Sequence, residues 1–358
     1  MIMDLSDVLK DIDGILIYNQ GEPVIDLNFF YITKLLDSGI FEGAYLFIDK
    51  EKSVIITSEL EETSAKKSNL DVRIFKKNTE KDEILKQILE NKKKIGISYS
   101  TFTIKEFNNL KSKFPEIEFL DIDSKLSSLR QVKDDFEISL IKEAARIASI
   151  AAEEIINYMK EGMTEYELAA YLTYILMKNG AQENAFTPIV AFGENSAEPH
   201  YFSGSRKLKK GDFVLLDFGA RYRKYNSDIT RTYIFGSGND KQKRIYEVVK
   251  EAQEIGIRAI KDGKPGKDVD TEVRNFIDST EFKGLFIHST GHGVGLAVHD
   301  HPALSQSSDL ILREGMVVTV EPGVYLKGFG GVRIEDDVLV KREGAEVLTT
   351  APKDLIEV

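Results

Sequence analysis

The sequence predicts a two-domain protein of mixed α and β structure, with an α/β domain at residues 1–125 and a larger α+β domain at residues 126–358. The chain has 358 residues, which is more than one ordinary hydrophobic core needs. Short β-type apolar runs mark its first part, whereas long amphipathic helices alternate with strand pairs beyond a charged stretch at residues 123–135. All five histidines lie between His200 and His301, so the groups suited to chemistry gather in the second domain.

The first domain is expected to combine three short strands with two helices. The strands are residues 15–18, 44–48 and 53–57, and the helices are residues 81–92 and 105–113. The polar residues between the second and third strands have the length of a hairpin turn. This domain contains no histidine, so we interpret it as a structural or dimerising domain that shapes a site elsewhere.

The second domain shows one pattern of elements twice. A helix is predicted over residues 134–159, and Thr164 with Glu167 forms a capping-box signature for the next helix. Helices predicted at residues 242–260 and from residue 268 repeat this arrangement. Each helix pair leads to a histidine-bearing segment and then to a strand–turn–strand with two carboxylates. This order indicates a structural duplication around a shared central cleft.

Each strand pair carries acidic residues where an apolar run ends. Asp217 closes the first run and Asp228 follows it across a turn, while Glu321 and Glu335 occupy the matching places in the second pair. A lone buried carboxylate is costly unless something compensates its charge. Four converging carboxylates would repel one another and raise their own pKa values. Divalent cations remove this conflict, so the pattern indicates a metal site.

A glycine-rich segment carries the candidate histidine ligand. Glycines flank His292 and leave room for a close approach, with His288 four residues before it and His299 beyond the loop. A group of satisfied core histidines is the alternative interpretation. Asp300 and His301 are expected to orient this loop.

Three further polar residues accompany Glu335. Arg333 is expected on the same strand face as Glu335, where it could hold either a ligand carboxylate or the carboxylate of a substrate. Asp336 and Asp337 are expected to be solvent-exposed or to support the ligands from behind, and not to bind a metal themselves.

Composition excludes several classes of protein. The chain has no cysteine, so any metal must bind through His, Asp and Glu. Its net charge of -11 argues against non-specific nucleic-acid binding. No apolar run approaches the ~20 residues that span a bilayer, and residues 1–11 lack the features of a signal peptide. We therefore expect a soluble, cytoplasmic protein without nucleic-acid or membrane partners.

A series of motifs now becomes recognisable in its order and spacing. The motifs are Leu129-Arg130-Gln131-Val132-Lys133, Pro199-His200-Tyr201, Leu216-Asp217-Phe218-Gly219, Ser227-Asp228-Ile229-Thr230-Arg231-Thr232, Gly291-His292-Gly293-Val294-Gly295, Val298-His299-Asp300, Glu321-Pro322-Gly323-Val324-Tyr325 and Val332-Arg333-Ile334-Glu335-Asp336. Residues 128–358 thereby resemble the pita-bread metallopeptidases, which include prolidase, aminopeptidase P and methionine aminopeptidase. The first domain resembles the creatinase/prolidase N-terminal domain, which separates this chain from the shorter methionine aminopeptidases.

The resemblance implies a set of metal ligands. Asp217 and Asp228 would bind one ion with Asp228 bridging, His292 and Glu321 would bind the second, and Glu335 would bridge both. The resemblance thus implies two divalent ions, with manganese or cobalt expected and iron or zinc as alternatives, because ligand type alone does not choose among them.

It also implies the catalytic groups. Glu321, His200 and His299 would be catalytic, and His288, His200, His299 and Arg333 would contact the substrate. Two cations would make a bridging hydroxide available near neutral pH. Glu321 would carry its proton to the leaving proline nitrogen.

The expected activity is hydrolysis of the peptide bond before proline in Xaa-Pro dipeptides, with a small peptide as substrate. An Xaa-Pro aminopeptidase acting on longer peptides is the alternative, because it would share every ligand. A non-catalytic pita-bread binding module is the remote alternative, and it predicts neither bound metal nor hydrolysis. A homodimer is expected by analogy with the two-domain members of the family.

Overall fold

The computed structural model describes residues 5–358, and the chain divides into two compact units, Met1–Arg130 and Gln131–Val358. The first four residues, which belong to the segment that lacks signal-peptide features, lie outside the described residues. The domain boundary after residue 125 stays a prediction. No helix in the described range combines the length and the apolar character that crossing a bilayer requires.

The first unit is a mixed six-stranded sheet with helices. Its strands are β1 (Gly14–Asn19), β2 (Ala44–Ile48), β3 (Ser53–Ser58), β4 (Asp71–Phe75), β5 (Lys94–Ile97) and β6 (Glu118–Asp121). Its helices are α1 (Leu27–Thr33), α2 (Glu62–Ala65), α3 (Asn78–Leu89), α4 (Ile104–Lys113) and α5 (Asp123–Leu129). The strand order is β4-β3-β2-β1-β5-β6. Every residue of β1 and β2 is buried, which explains their continuous apolar runs.

The elements predicted for this unit are present. The three expected strands are β1, β2 and β3, and the last two form the predicted antiparallel hairpin. The Asp49 N–H donates to the Lys52 carbonyl across its turn. The two expected helices are α3 and α4, although α3 ends earlier than predicted, at Leu89.

The second unit holds four long helices and thirteen strands in its described elements. The helices are α6 (Asp135–Glu154), α7 (Glu165–Lys178), α8 (Asp240–Ala259) and α9 (Gly266–Asp278). The strands of the first half are β7 (Glu183–Asn184), β8 (Ile189–Phe192), β9 (Phe213–Phe218), β10 (Ala220–Tyr222), β11 (Tyr225–Asn226) and β12 (Ile229–Ile234). Those of the second half are β13 (Gly291–Gly293), β14 (Asp300–Leu304), β15 (Val317–Val320), β16 (Gly323–Leu326), β17 (Gly330–Arg333), β18 (Asp336–Lys341) and β19 (Gly344–Val347).

The helix starts follow the signals in the sequence. The Thr164 side chain accepts from the Glu167 N–H, and the Glu167 carboxylate accepts from the Thr164 N–H, so the predicted capping box is confirmed. The first long helix differs from the prediction. It ends as an α-helix at Glu154 and tightens into a 3-10 turn that reaches Tyr158.

Two sheets bring the carboxylate-bearing segments into place. One has the order β12-β9-β8, and the other has the order β14-β13-β15-β18-β19. In the first sheet Asp217 on β9 lies opposite Thr230 on β12. In the second sheet Val320 lies opposite Asp336.

The single strand on which Arg333 and Glu335 were expected to share a face is not continuous. β17 pairs with β16 in a separate hairpin, whereas β18 pairs with β15, so the chain changes partner after Arg333. Glu335 therefore lies in the break and not within a strand. The prediction of one strand was wrong because pairing partners are set by long-range contacts and not by the apolar pattern.

A buried ion pair ties these elements together. Arg231 on β12 is 1% exposed, and its guanidinium lies 2.7 Å from the Asp336 carboxylate on β18. It also donates to the carbonyl oxygens of Glu335, Ala351 and Pro352. The guanidinium thus joins β12, the break before β18 and the C-terminal segment.

We expect Arg231→Met to lower the free energy of unfolding by about 3–5 kcal/mol, because Asp336 would keep a buried charge and lose a partner. The matched control is Arg244→Met. Arg244 pairs with Glu281 at the surface, where the side chains are 54% and 52% exposed, so the loss should stay below about 1 kcal/mol. Guanidinium denaturation of both variants measures the difference, and equal losses would contradict this role for Arg231.

Candidate metal centre

A cavity of about 300 Å³ in the second unit collects the candidate functional residues. Its lining consists of Phe186, Ile189, Pro199, His200, Asp217, Asp228, His288, Ser289, His292, His299, Glu321, Arg333 and Glu335. Every residue that the sequence suggested as a ligand, a catalytic group or a substrate contact is in this set. The apolar residues Phe186 and Ile189 were missed, because an isolated apolar side chain gives no functional signal in a sequence.

The β9–β12 pair positions the first two carboxylates. Asp217 is near the end of β9, and Asp228 directly precedes β12. The Asp228 N–H donates to Asp337 at 2.9 Å, which fixes the backbone at this carboxylate. One oxygen of Asp217 and one of Asp228 are buried without a hydrogen-bond partner in the described chain. Such orphaned oxygen atoms are suited to a cation ligand.

His292 is positioned by the glycines on both sides of it. A Cβ at Gly291 would overlap the Thr319 carbonyl, and a Cβ at Gly293 would overlap the carbonyl of His301. The close approach expected from the sequence is therefore made by neighbouring backbone. The His292 Nδ1 lies 3.1 Å from the Gly293 carbonyl oxygen, an arrangement that leaves Nε2 free to bind a metal.

Three of the five expected ligands form a tight group within the described part of the chain. Asp228, His292 and Glu335 each offer one ligand atom, and these atoms all lie within 4.8 Å of one another. Glu321 is next to them, with Oε1 3.5 Å from the Nε2 of His292. Asp217 lines the same cavity. The geometry of the donors is therefore compatible with a divalent cation.

Arg333 is engaged with the protein itself. Its guanidinium lies 2.5 Å from the Asp217 carboxylate and donates to the hydroxyl groups of Tyr325 and Thr230. Burial opposes its charge, but Tyr325 and Asp217 hold the pKa of Arg333 well above its ordinary value. Of the two possibilities left open by the sequence, the geometry favours a hold on a ligand carboxylate.

Two hydroxyl groups were missed as site residues. The Thr230 hydroxyl donates to Glu335 at 2.7 Å and accepts from Arg333. The Tyr325 hydroxyl lies 2.8 Å from the His288 Nε2 and accepts from Arg333. Both residues occur inside the recognised motifs, but a sequence does not show which hydroxyl groups face the ligands.

Burial and mutual repulsion raise the pKa values of the carboxyl groups in the cavity. Burial, then Glu335 and Asp217, raise the pKa of Asp228 well above its ordinary value. Burial, then Glu321 and Asp217, do the same for the pKa of Glu335. Burial raises the pKa of Glu321 to about 8, although Arg333 opposes this. Without added positive charge these carboxyl groups tend to keep their protons, so a divalent cation fits the donor set.

The histidines divide into two kinds. Burial lowers the pKa of His292 to about 4 and, with Arg333, that of His288 to about 4, so both are neutral at pH 7. His200 and His299 are exposed. The His299 ring centroid lies 4.4 Å from that of His292, and Asp300 accepts from the His301 N–H in the loop that follows.

Asp336 and Asp337 are both fully buried, which excludes solvent exposure and leaves the other alternative expected from the sequence, support of the ligands from behind. Packing of β18 between β15 and β19 encloses them. Asp336 neutralises Arg231, and Asp337 accepts from the Asp228 N–H. They hold the ligand-bearing segments from behind.

Comparison with known proteins places this geometry in a family. Residues 139–342 match the model of metallopeptidase family M24, and residues 9–132 match the creatinase/prolidase N-terminal domain. The chain is 42% identical over 315 residues to an Xaa-Pro dipeptidase of Pyrococcus furiosus, covering 88% of this chain and 89% of that one.

Solved structures agree over nearly the whole chain. An X-Pro aminopeptidase from Thermotoga maritima superposes with a TM-score of 0.93 and 36% identity, covering 99% of this chain and 100% of that one. The prolidase from Pyrococcus horikoshii superposes with a TM-score of 0.90 and 39% identity, covering 99% of this chain and 98% of that one. The fold class expected from the sequence is confirmed. The chain belongs to metallopeptidase family M24 and is a peptidase with a creatinase/prolidase N-terminal domain and a pita-bread catalytic domain.

Proposed function

We propose that this peptidase is an Xaa-Pro dipeptidase, and that two divalent cations serve its reaction. The relatives from Pyrococcus furiosus and Pyrococcus horikoshii that carry this name support the substrate class. The observation that carries the proposal is the enclosed group of Asp228, His292 and Glu335, whose ligand atoms converge in a small cavity lined by three further histidines.

The proposed ligands are the five residues implied by the sequence motifs. Asp217 and Asp228 would hold one cation, His292 and Glu321 the other, and Glu335 would bridge them. When bound, the cations would lower the pKa of a water molecule and polarise the scissile carbonyl. Manganese or cobalt is proposed, with iron or zinc as alternatives, because oxygen-rich ligation with one imidazole accommodates all four.

Glu321 is the proposed proton carrier. A carboxyl group whose pKa is about 8 before cations bind can hold a proton near neutral pH and give it up as positive charge arrives. Its Oε2 lies 3.9 Å from the His288 Nδ1. In this proposal Glu321 takes the proton of the attacking water and passes it to the proline nitrogen, which becomes a basic amine as the bond breaks.

The histidines would bind and polarise the peptide. His200 and His299 line the cavity from exposed positions, where an imidazole N–H can reach a substrate carbonyl. His288 is held neutral beside Tyr325. The scissile bond before proline has no N–H, so a site for it must rely on contacts to the carbonyl and the termini.

One observation favours the alternative function, an Xaa-Pro aminopeptidase that acts on longer peptides. The Thermotoga maritima protein with a TM-score of 0.93 is an X-Pro aminopeptidase, and the ligand set does not separate the two activities. Their difference lies in whether the cleft closes around the carboxylate of the proline. We keep the aminopeptidase acting on longer peptides as the alternative.

Hydrolysis of Ala-Pro and of Ala-Pro-Ala separates the two candidates. Chelated protein should be inactive, and manganese or cobalt should restore cleavage of Ala-Pro, because the cations supply the charge that activates water. Preferential cleavage of the tripeptide would support the aminopeptidase. If metal is bound and neither peptide is cleaved, the proposed proline specificity is contradicted, whereas the family assignment stays intact.

Substitution of Glu321 tests the proton carrier. We expect Glu321→Gln to reduce kcat by roughly 10²–10⁴-fold at saturating metal, since the amide cannot carry the proton. Glu281→Gln is the matched control, because Glu281 is an exposed carboxylate paired with Arg244. Metal content is measured in parallel. Full turnover by Glu321→Gln would remove this assignment.

Metal binding should release protons. The folded metal-free protein binds a proton at Glu321 up to about pH 8, whereas the unfolded chain loses it near the ordinary pKa of 4.5. Glu321 therefore stabilises the metal-free fold at low pH. This contribution to the free energy of unfolding is lost as the pH rises from the ordinary pKa of 4.5 to about 8. Metal-loaded protein should not show this loss, because its carboxylates are already ionised.

Calorimetry in two buffers of different ionisation enthalpy measures the effect. Titration of chelated protein with manganese near neutral pH should release protons, and the release should fade above about pH 8. The gap in melting temperature between metal-loaded and metal-free protein should widen from acid to neutral pH. Binding without proton release would show that the carboxylates are ionised before the cation arrives.

A further inference from the structure

The first residue of α7, Glu165, is a buried carboxylate outside the cavity. Its side chain is 0% exposed, and its two oxygens accept four hydrogen bonds from neutral donors. Those donors are the Phe192 N–H at 2.8 Å, the Asn195 side-chain amide at 2.9 Å, the Tyr201 hydroxyl at 2.9 Å and the Gly204 N–H at 2.9 Å. Phe192 is the last residue of β8, and the other three donors belong to the segment that follows it and carries His200.

The four bonds bracket His200 along the chain. One oxygen of Glu165 binds the segment before His200, through Phe192 and Asn195. The other oxygen binds the segment after it, through Tyr201 and Gly204. The Glu165 carboxylate thus joins the two sides of the loop that carries His200.

Local packing leaves little freedom in this arrangement. The Asn195 amide also donates to the Tyr201 hydroxyl at 2.7 Å, which closes a triangle with the carboxylate. A Cβ at Gly204 would lie 3.1 Å from that hydroxyl and 3.4 Å from Glu165, so the glycine permits a close approach. The Tyr166 N–H donates to the Gly204 carbonyl, which adds a backbone tie between α7 and the loop.

The charge of Glu165 is suited to this role. A carboxylate accepts hydrogen bonds without competing donors of its own, and bonds to an ionised acceptor are stronger than neutral ones. Its place at the start of α7 adds the favourable field of a helix N-terminus. Burial and the bond to Glu165 raise the pKa of Tyr201 to about 12, so the phenol keeps its proton and donates.

We propose that Glu165 is the positioning residue for His200: its buried carboxylate holds both arms of the loop and thereby sets where the imidazole stands in the cavity. This inference rests on the proposed function, in which His200 contacts the substrate. Glu165 itself does not line the cavity. Its effect on the reaction is exerted through His200.

Glu165→Gln tests the charge with little change of shape. The amide group must point its N–H bonds either at Phe192 and Asn195 or at Tyr201 and Gly204, and both sides already present donors. We expect kcat/KM for Ala-Pro to fall roughly tenfold to hundredfold, as a displaced contact group does, with metal content unchanged. Unchanged kinetics in the folded variant would overturn the proposal.

Glu167→Gln is the matched control. Glu167 lies in the same first turn of α7, is exposed and accepts from the Thr164 backbone and hydroxyl. This variant should keep its catalytic constants. Losses equal to those of Glu165→Gln would show that weakening the start of the helix, and not the anchoring of the loop, causes the effect.

A double variant separates positioning from a general structural role. If Glu165 acts through His200, adding Glu165→Gln to His200→Ala should cause no further loss of kcat/KM. If the loss of kcat/KM in the double variant equals the product of the two single losses, the proposal is overturned. A full-activity His200→Ala variant would instead contradict the proposed function of His200, so the two failures are distinguishable.

A spectroscopic measurement does not depend on activity. The chain has five histidines, so their imidazole signals can be assigned by NMR in the full chain loaded with zinc. Glu165→Gln should shift or broaden the His200 signal and leave that of His292 in place. A His200 signal unchanged from the parent protein would contradict the proposal.

Tyr201→Phe provides the test if Glu165→Gln does not fold. It removes one of the four hydrogen bonds and keeps the carboxylate. It should produce a smaller change in the His200 signal and a smaller loss of kcat/KM, in the same direction. No change in either measurement would count against the proposed anchoring.

Discussion

The catalytic unit depends on the burial of mutually repelling carboxylates in one small cavity. The protein supplies one guanidinium there, Arg333, and it is bound to Asp217. Among residues 5–358, Asp228 and Glu335 form no ion pair with an arginine, and burial raises the pKa of each. Positive charge from a bound divalent cation would relieve this repulsion. The divalent metal that membership of metallopeptidase family M24 implies would thus also reduce the repulsion among the carboxylates of this cavity.

Around these carboxylates the protein builds a chain of hydrogen bonds. Asp217 binds Arg333, Arg333 binds the Tyr325 hydroxyl, and that hydroxyl meets the His288 imidazole. Each member is oriented by the next, so a proposed metal ligand, Asp217, is linked to a histidine that is proposed to contact the substrate, His288. Thr230 joins the same chain to Glu335. Substitution of any of these residues should therefore change the orientation of several others.

The two halves hold their histidine-bearing segments with the same device, built from different residues. In the first half, Glu165 at the start of α7 anchors the segment that carries His200. In the second half, buried Asp270 on α9 accepts from the Thr290 N–H and hydroxyl, and its partner Arg274 donates to the His288 carbonyl. Each second helix thus uses a buried carboxylate to hold a histidine-bearing segment.

The sequence by itself determined the order of elements, the family and the set of candidate residues around the cavity, because apolar runs, caps and motif spacing are local properties. Tertiary structure alone decided that Glu335 lies in a break between strands, that Asp336 and Asp337 are buried, and which hydroxyl groups face the ligands. In the sequence, Glu165 is recognisable only as a residue at the start of a helix, and nothing there indicates its link to His200. Burial and hydrogen-bond partners are created when distant segments pack together, so spacing along the chain does not encode them.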